Sequence, residues 1–532
     1  MTIEDYDEVR SLWMTIKGFG IRSVDDSREG VEAFLKRNPG LSVVAVEDGR
    51  VAGSILCGHD GRRGCLYHVC VAEKYRMRGL GRAMVVFCMN ALKEEHINKV
   101  SLIAFTKNDV GNAFWKQIGW TKREDLNYYD FVVTAAQGFE AAGVEASIKY
   151  QNRKDMALIY SRKPCVAAGV FTSNIVKAAP VIWDKEVVAH SPYAQAVIAN
   201  AGIANACTGS LGYECCKQTA QAAAEYLQIP EDAVLVASTG VIGRQIPTDK
   251  ITDGVKKLAE QKADTTEAGR IAAEAIMTTD TISKQAAVTF EVGGKRATLG
   301  GMCKGSGMIH PDMCTMLGFL TTDIAISKEL LQEALRENVV DTFNMISVDG
   351  DTSTNDTLVI LANGMAENPE ITSKNEDYEK FREALNYVNT TLARMMAGDG
   401  EGATALFETK VVHAKTKEDA RKLSKSVICS SLSKAAVFGH DANCGRFLCA
   451  LGYAGVEFDP NHLDVFLESE DRSLLVYRDG NVTDYSEEEA TQILSAPEVR
   501  VLVDMKEGDG EATAWGCDLT YDYVKINADY RS

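Results

Sequence analysis

Apolar positions recur along this chain with two periods. The runs LSVVAVEDG at 41–49 and VAGSILCGHD at 51–60 meet at Asp48-Gly49, a dipeptide suited to a two-residue hairpin turn, and predict two antiparallel strands. LYHVCV at 66–71 predicts a third strand. Beyond Gly81 the apolar residues Met84, Val85, Cys88, Met89 and Leu92 follow helical spacing. KVSLIAF at 99–105 returns to extended structure, and GNAFWKQIG at 111–119 predicts a short helix closed by Gly119. This first stretch is therefore a mixed sheet with flanking helices.

The register changes between Asp130 and Gln137, with no flexible linker, and a boundary near Val132 gives two domains, 1–131 and 132–532. The longer one mixes helical stretches at Thr219–Leu227 and Thr266–Met277 with strand-like runs: DAVLVAST at 232–239, TLVILA at 357–362 and VRVLVDM at 499–505. The whole reads as α/β in the first domain and α+β in the second, with strand order left open by pattern alone.

Composition narrows the function classes. At 532 residues the chain exceeds what one core organises, so two domains fit. A net charge of -18 disfavours nucleic acid and anionic membranes as partners and leaves small metabolites. The opening MTIEDYDEVR lacks the basic and apolar regions of a signal peptide, and no long apolar span follows, so a soluble cytoplasmic protein is expected. The 14 cysteines never form C-x2-C pairs, which favours reduced, buried thiols over disulfides or zinc.

Two strings carry chemistry. RMRGLGRA at 76–83 follows a strand and opens a helix, where backbone N–H groups and the helix N-terminus favour a pyrophosphate, with Arg78 and Arg82 adding charge. With NDVGNAFWKQIGW at 108–120, it resembles the acetyl-coenzyme A motifs of the GNAT acetyltransferases. The resemblance implies cofactor contacts from Val69 and Val71, from Arg76, Arg78, Gly79, Gly81, Arg82 and Ala83, and from Asn108. Many GNAT enzymes place a tyrosine acid after the phenylalanine of the second motif; here the pair is Phe114-Trp115, and tryptophan has no proton to give a thiolate. Tyr128, Tyr129 or water are the substitutes. His68, Cys70 and Glu73 are available as bases, and none is assigned.

The second string is KGSGMIHPDMCTMLGF at 304–319. A threonine hydroxyl that attacks the carbonyl before it breaks the chain and frees an α-amino group, which then serves as the nucleophile's own base; Thr315 fits this need. The string resembles the processing site of the ornithine acetyltransferases, the ArgJ family. The likeness continues in family order through QGFEAAGV (137–144), RKDMALI (153–159), AGVFTSNIVKAAPV (168–181), ASTGVIGRQIP (237–247), AIMTTDT (275–281), VDGDTSTNDT (348–357), GDGEGAT (398–404), FGHDANCGR (438–446) and INADYRS (526–532).

The resemblance implies an autoprocessing α+β sandwich of the ArgJ/DmpA type, cut between Cys314 and Thr315. It implies Thr239 and Gly240 as an oxyanion hole, where one donor is worth about 3 kcal/mol. It gives Thr278, Lys304, Thr315, Glu401, Asn527 and Ser532 as substrate-binding residues, with Thr279 in reserve for Thr278. Substrates would be N2-acetylornithine and L-glutamate, with acetyl-CoA at the GNAT domain, no metal or prosthetic group, and the two fragments paired as an α2β2 heterotetramer. Cys314, Ile203, Ala435 and Cys444 depart from the family pattern. Asp349, Asp351 and Asp356 read as turn or capping residues rather than a metal cluster. The rival reading is an autoprocessing amidase or aminopeptidase with a GNAT-like coenzyme A sensor.

Overall fold

Strands form where the chain can bury alternating or continuous apolar faces, and a computed structural model shows three sheets built this way. It describes residues 1–16, 26–47, 49–59, 63–76, 78–97, 100–102, 109–118, 120, 132–310, 316–469 and 472–529. The chain divides into two compact units, Met1–Tyr128 and Tyr129–Ser532.

In the first unit, strands Val43–Glu47, Arg50–His59 and Gly64–Val71 pair antiparallel, and Val100–Leu102 adds in parallel to the last of them. This is the mixed sheet the sequence predicts. Helix Leu80–Glu94 lays Met84, Val85, Cys88 and Leu92 on it, four of the five residues picked out by helical spacing. Helix Asp109–Gln117 matches the second motif, while its expected stop at Gly119 lies outside the described residues.

The second unit holds an eight-stranded and a seven-stranded sheet. In the larger, Lys284–Val292, Lys295–Lys304 and Leu317–Thr322 run as antiparallel neighbours, and Thr357–Ala362 pairs parallel to Leu317–Thr322. Leu317–Thr322 and Thr357–Ala362 are buried at every residue, as expected of strands covered on both faces. Helix Glu376–Gly398 packs against strands of both sheets and buries Tyr378, Phe381, Leu385, Val388, Leu392 and Met396. The strands expected at 232–239, 357–362 and 499–505 appear as Val234–Val241, Thr357–Ala362 and Glu498–Asp504. The thirteen described cysteines are all free thiols. No helix among the described residues is long and apolar enough to cross a membrane.

Candidate active site

The second unit's site is organised by one segment, Lys304 to Gly307, at the end of strand Lys295–Lys304. Lys304 is 7% exposed, and its ammonium lies 3.4 Å from the Thr239 hydroxyl and 3.8 Å from the Asp280 carboxylate. Thr239 and Gly240 lie near the end of strand Val234–Val241, partly open to solvent. Gly240 adopts φ +125°, and a Cβ there would sit 2.3 Å from the carbonyl carbon of Gly202 on the neighbouring strand, so only glycine fits. Ile203 is buried beside it, and its carbonyl accepts a bond from Asn200 at 3.0 Å.

Asp280 is the charge hub. One carboxylate oxygen accepts from the Gly305 amide and from Lys284, each at 2.7 Å, and the other from the Thr278 amide at 3.0 Å. Burial works to raise its pKa, but Lys304 and Lys284 outweigh burial and hold the carboxyl well below the usual carboxylate range. Lys284, with no exposed side-chain surface, also reaches Asp399 at 2.5 Å. Burial opposes its charge, and the two aspartates overcome that and raise its pKa.

The other end of the segment meets a buried carboxylate, Glu401. The Ser306 carbonyl accepts from the Glu401 amide at 2.8 Å, and the Ser306 and Thr279 hydroxyls share a bond of 2.7 Å. Glu401 is 8% exposed and accepts from the Asn527 amide at 2.8 Å; Asn527 sits on the outer surface of helix Tyr521–Asp529. Thr278 offers its carbonyl to Arg153 at 3.3 Å. A cation, a threonine hydroxyl, a buried carboxylate and a neutral amide thus gather about four consecutive residues, a set of groups suited to an amino acid carrying both a carboxylate and an amine. Cys314, Thr315, Asn108 and Ser532 lie outside the described residues.

Asp349 behaves as a turn residue, accepting from the amides of Met308, Ile309 and Asp351. Asp356 is buried, at 1% exposure, just before strand Thr357–Ala362. No cluster of three or more metal-ligating His, Cys, Asp or Glu side chains occurs among the described residues. Asp280, Lys284, Asp399 and Asp356 were not singled out as site residues by sequence reasoning; three of them stand inside the motif strings at 275–281, 348–357 and 398–404 and are distinguished only by burial.

Residues 140–532 match the ArgJ family. The chain belongs to it. The ArgJ likeness is detailed: the arginine biosynthesis bifunctional protein ArgJ 1 of Clostridium acetobutylicum is 50% identical over 403 residues, covering 75% of this chain and 97% of that protein. The arginine biosynthesis bifunctional protein ArgJ of Symbiobacterium thermophilum is 52% identical over 402 residues, covering 75% and 98%. A crystal structure of the Mycobacterium tuberculosis ornithine acetyltransferase complexed with ornithine is 40% identical, covering 35% of this chain and 96% of that one at a TM-score of 0.31. Residues 6–120 match the acetyltransferase (GNAT) family. The chain is an acyltransferase that joins an ArgJ unit to a GNAT domain.

In that GNAT domain, Gly79 caps helix Leu80–Glu94 at φ +81°, with Gly81, Arg82 and Ala83 in the first turn and Arg82 and Ala83 exposed. Arg78 pairs with Glu47 at 3.0 Å, and Arg76 donates to the Val71 carbonyl at 3.0 Å. Val69 and Val71 are partly buried against the domain core. The Phe114 ring lies against Gly81, where a Cβ would meet it at 3.2 Å, and packs edge-on to Trp115. His68 bonds to Asp26 at 2.5 Å, Cys70 is buried, and Glu73 is exposed.

Proposed function

We propose that this ArgJ-family acyltransferase of arginine biosynthesis cuts itself between Cys314 and Thr315, into 1–314 and 315–532, and carries acetyl from N2-acetylornithine to L-glutamate on Thr315. The approach of Thr239 and Glu401 to the segment Lys304 to Gly307, with Thr278 linked to it through Asp280, supports the reading. Ornithine is the ligand of the Mycobacterium tuberculosis relative.

In the proposed cycle the freed α-amine of Thr315 takes the hydroxyl proton as Oγ attacks the acetyl carbonyl. The Thr239 hydroxyl and the Gly240 N–H stabilise the tetrahedral anion. Ornithine leaves with the proton, and an acetyl-enzyme remains. Glutamate's amine then attacks the ester and regenerates Thr315. Lys304 would hold the α-carboxylate shared by both amino acids, while Glu401 and Asn527 would hold the far amine of ornithine, with Thr278 and Ser532 completing the site.

The GNAT domain, taken as 1–131 before an ArgJ unit of 132–532, would make N-acetylglutamate from acetyl-CoA and glutamate. The N-terminal turn of helix Leu80–Glu94, preceded by Arg76 and Arg78, would hold the pyrophosphate, with Val69, Val71 and Asn108 along the cofactor arm. The fragments would stay together as an α2β2 assembly in the cytoplasm. Incubation of purified protein with N2-acetylornithine and glutamate tests the main reading: equimolar ornithine and N-acetylglutamate are expected, and acetate without N-acetylglutamate would replace the transferase by an amidase.

A further inference from the structure

A lysine is seldom fully buried. Lys284 has no exposed side-chain surface, and its ammonium donates to Asp280 at 2.7 Å, to Asp399 at 2.5 Å and to the Ile282 carbonyl at 3.5 Å, three acceptors for its three protons. Drawing the ammonium away from either carboxylate would leave buried charge uncompensated, so the cluster resists displacement. Apolar replacement of a whole buried ion cluster is often neutral or stabilising, and stability alone therefore does not account for this one.

Its two carboxylates lead to two different recognition groups. Asp280 accepts from the amide of Gly305, next to Lys304, at 2.7 Å and from the Thr278 amide at 3.0 Å. Asp399 ends helix Glu376–Gly398 two residues before Glu401, and it accepts from the Thr281 amide at 3.1 Å and from the Thr281 hydroxyl. The Glu401 amide donates to the Ser306 carbonyl at 2.8 Å, which closes a ring through Gly305, Asp280, Lys284, Asp399, Glu401 and Ser306. Close packing leaves the ring little play: a Cβ on Gly307 would sit 2.5 Å from the Glu401 carboxyl carbon, and one on Gly400 would sit 2.6 Å from the Cys517 sulfur. Lys304 and Glu401 are thereby held at a set separation.

We propose that this ring is a ruler of donor length, with Lys284, Asp280 and Asp399 as positioning residues that set the span from Lys304 to Glu401 to the ornithine chain. The inference rests on the donor reading above, in which Lys304 meets the α-carboxylate and Glu401 the far amine. A side chain one methylene longer, as in lysine, keeps both contacts only if the span opens, and opening it pulls Lys284 from one of its carboxylates. The longer donor therefore loses an end contact or carries its acetyl group out of place. The three buried residues act through Lys304 and Glu401.

The test compares N-acetylglutamate formation from N2-acetylornithine and from N2-acetyllysine by full-length wild type, Asp399→Asn and Thr281→Val. Wild type should favour acetylornithine by about 10–200-fold in kcat/KM, the discrimination that one methylene gives in a fitted site. Asp399→Asn keeps an oxygen for Thr281 but removes the charge facing Lys284, and it should lower that ratio about tenfold, chiefly by raising KM for acetylornithine. Thr281→Val keeps every charge and loses one hydroxyl bond, which should lower the ratio about threefold and decides the matter even where Asp399→Asn does not fold. The ratio does not depend on how much enzyme is folded, so a purely structural role would slow both donors alike. An unchanged ratio in every folded variant, or a wild type that takes both donors equally, overturns the ruler. A wild type that makes N-acetylglutamate from neither donor overturns the donor reading on which it rests.

Discussion

Lys284 is fully buried, yet it holds the charge balance of the site through Asp280 and Asp399. Removing one member of a buried ion pair leaves an uncompensated charge and costs about 3–5 kcal/mol. Lys284→Met should lower unfolding stability by that order in urea titrations, whereas a loss under about 1 kcal/mol would show that the aspartates find other partners. The same hub sets a pH dependence. Because the folded Asp280 has a depressed pKa, its contribution is present above the unfolded value near 4 and is lost as pH falls through the folded one. Asp356 has the opposite sign: with its folded pKa raised, it costs stability as pH climbs above the unfolded value. Asp356→Asn should therefore raise Tm at neutral pH, with the gain shrinking toward pH of about 4. A lower Tm at neutral pH would mean that the carboxylate has a partner in the native protein.

At the scale of elements, strand Val234–Val241 needs Gly240, since φ +125° and the approach to Gly202 leave no room for a side chain. Gly240→Ala should cost about 1–3 kcal/mol of stability and, because its N–H would shift, lower acetyl transfer about 100-fold or more; transfer at the wild-type rate would remove it from the oxyanion hole. Elements with strong periodicity were legible in the sequence, including the strand at 357–362 and the helix beyond Gly81. The helix at 219–227 was read short, because it begins at Gly209 and its first turns contain glycines. Gly212 belongs there for packing: a Cβ would meet the Thr208 hydroxyl at 2.0 Å, a contact that sequence periodicity does not record. In the site, Lys304, Glu401 and Asn527 were legible from their motif strings. Asp280 and Asp356 were not, since both stand in polar, turn-like text and only tertiary burial separates a capping aspartate from a charged hub or a neutral acid.

For the whole molecule, the proposed division of two chemistries between two units predicts separable losses. Reversing the charge of exposed Arg82 should raise the KM for acetyl-CoA about tenfold, as expected for one lost charge-assisted contact, and leave transfer from N2-acetylornithine untouched. Steady-state assays of Arg82→Glu with each acetyl donor check this, and equal effects on both would deny the division of labour. The proposed cleavage turns one chain into two, with Thr315 at a new terminus. Denaturing electrophoresis of the active wild-type protein, followed by N-terminal sequencing of the smaller fragment, tests it directly. Two chains are expected, the smaller beginning Thr-Met-Leu-Gly from Thr315; a single intact chain in fully active enzyme would contradict the cleavage.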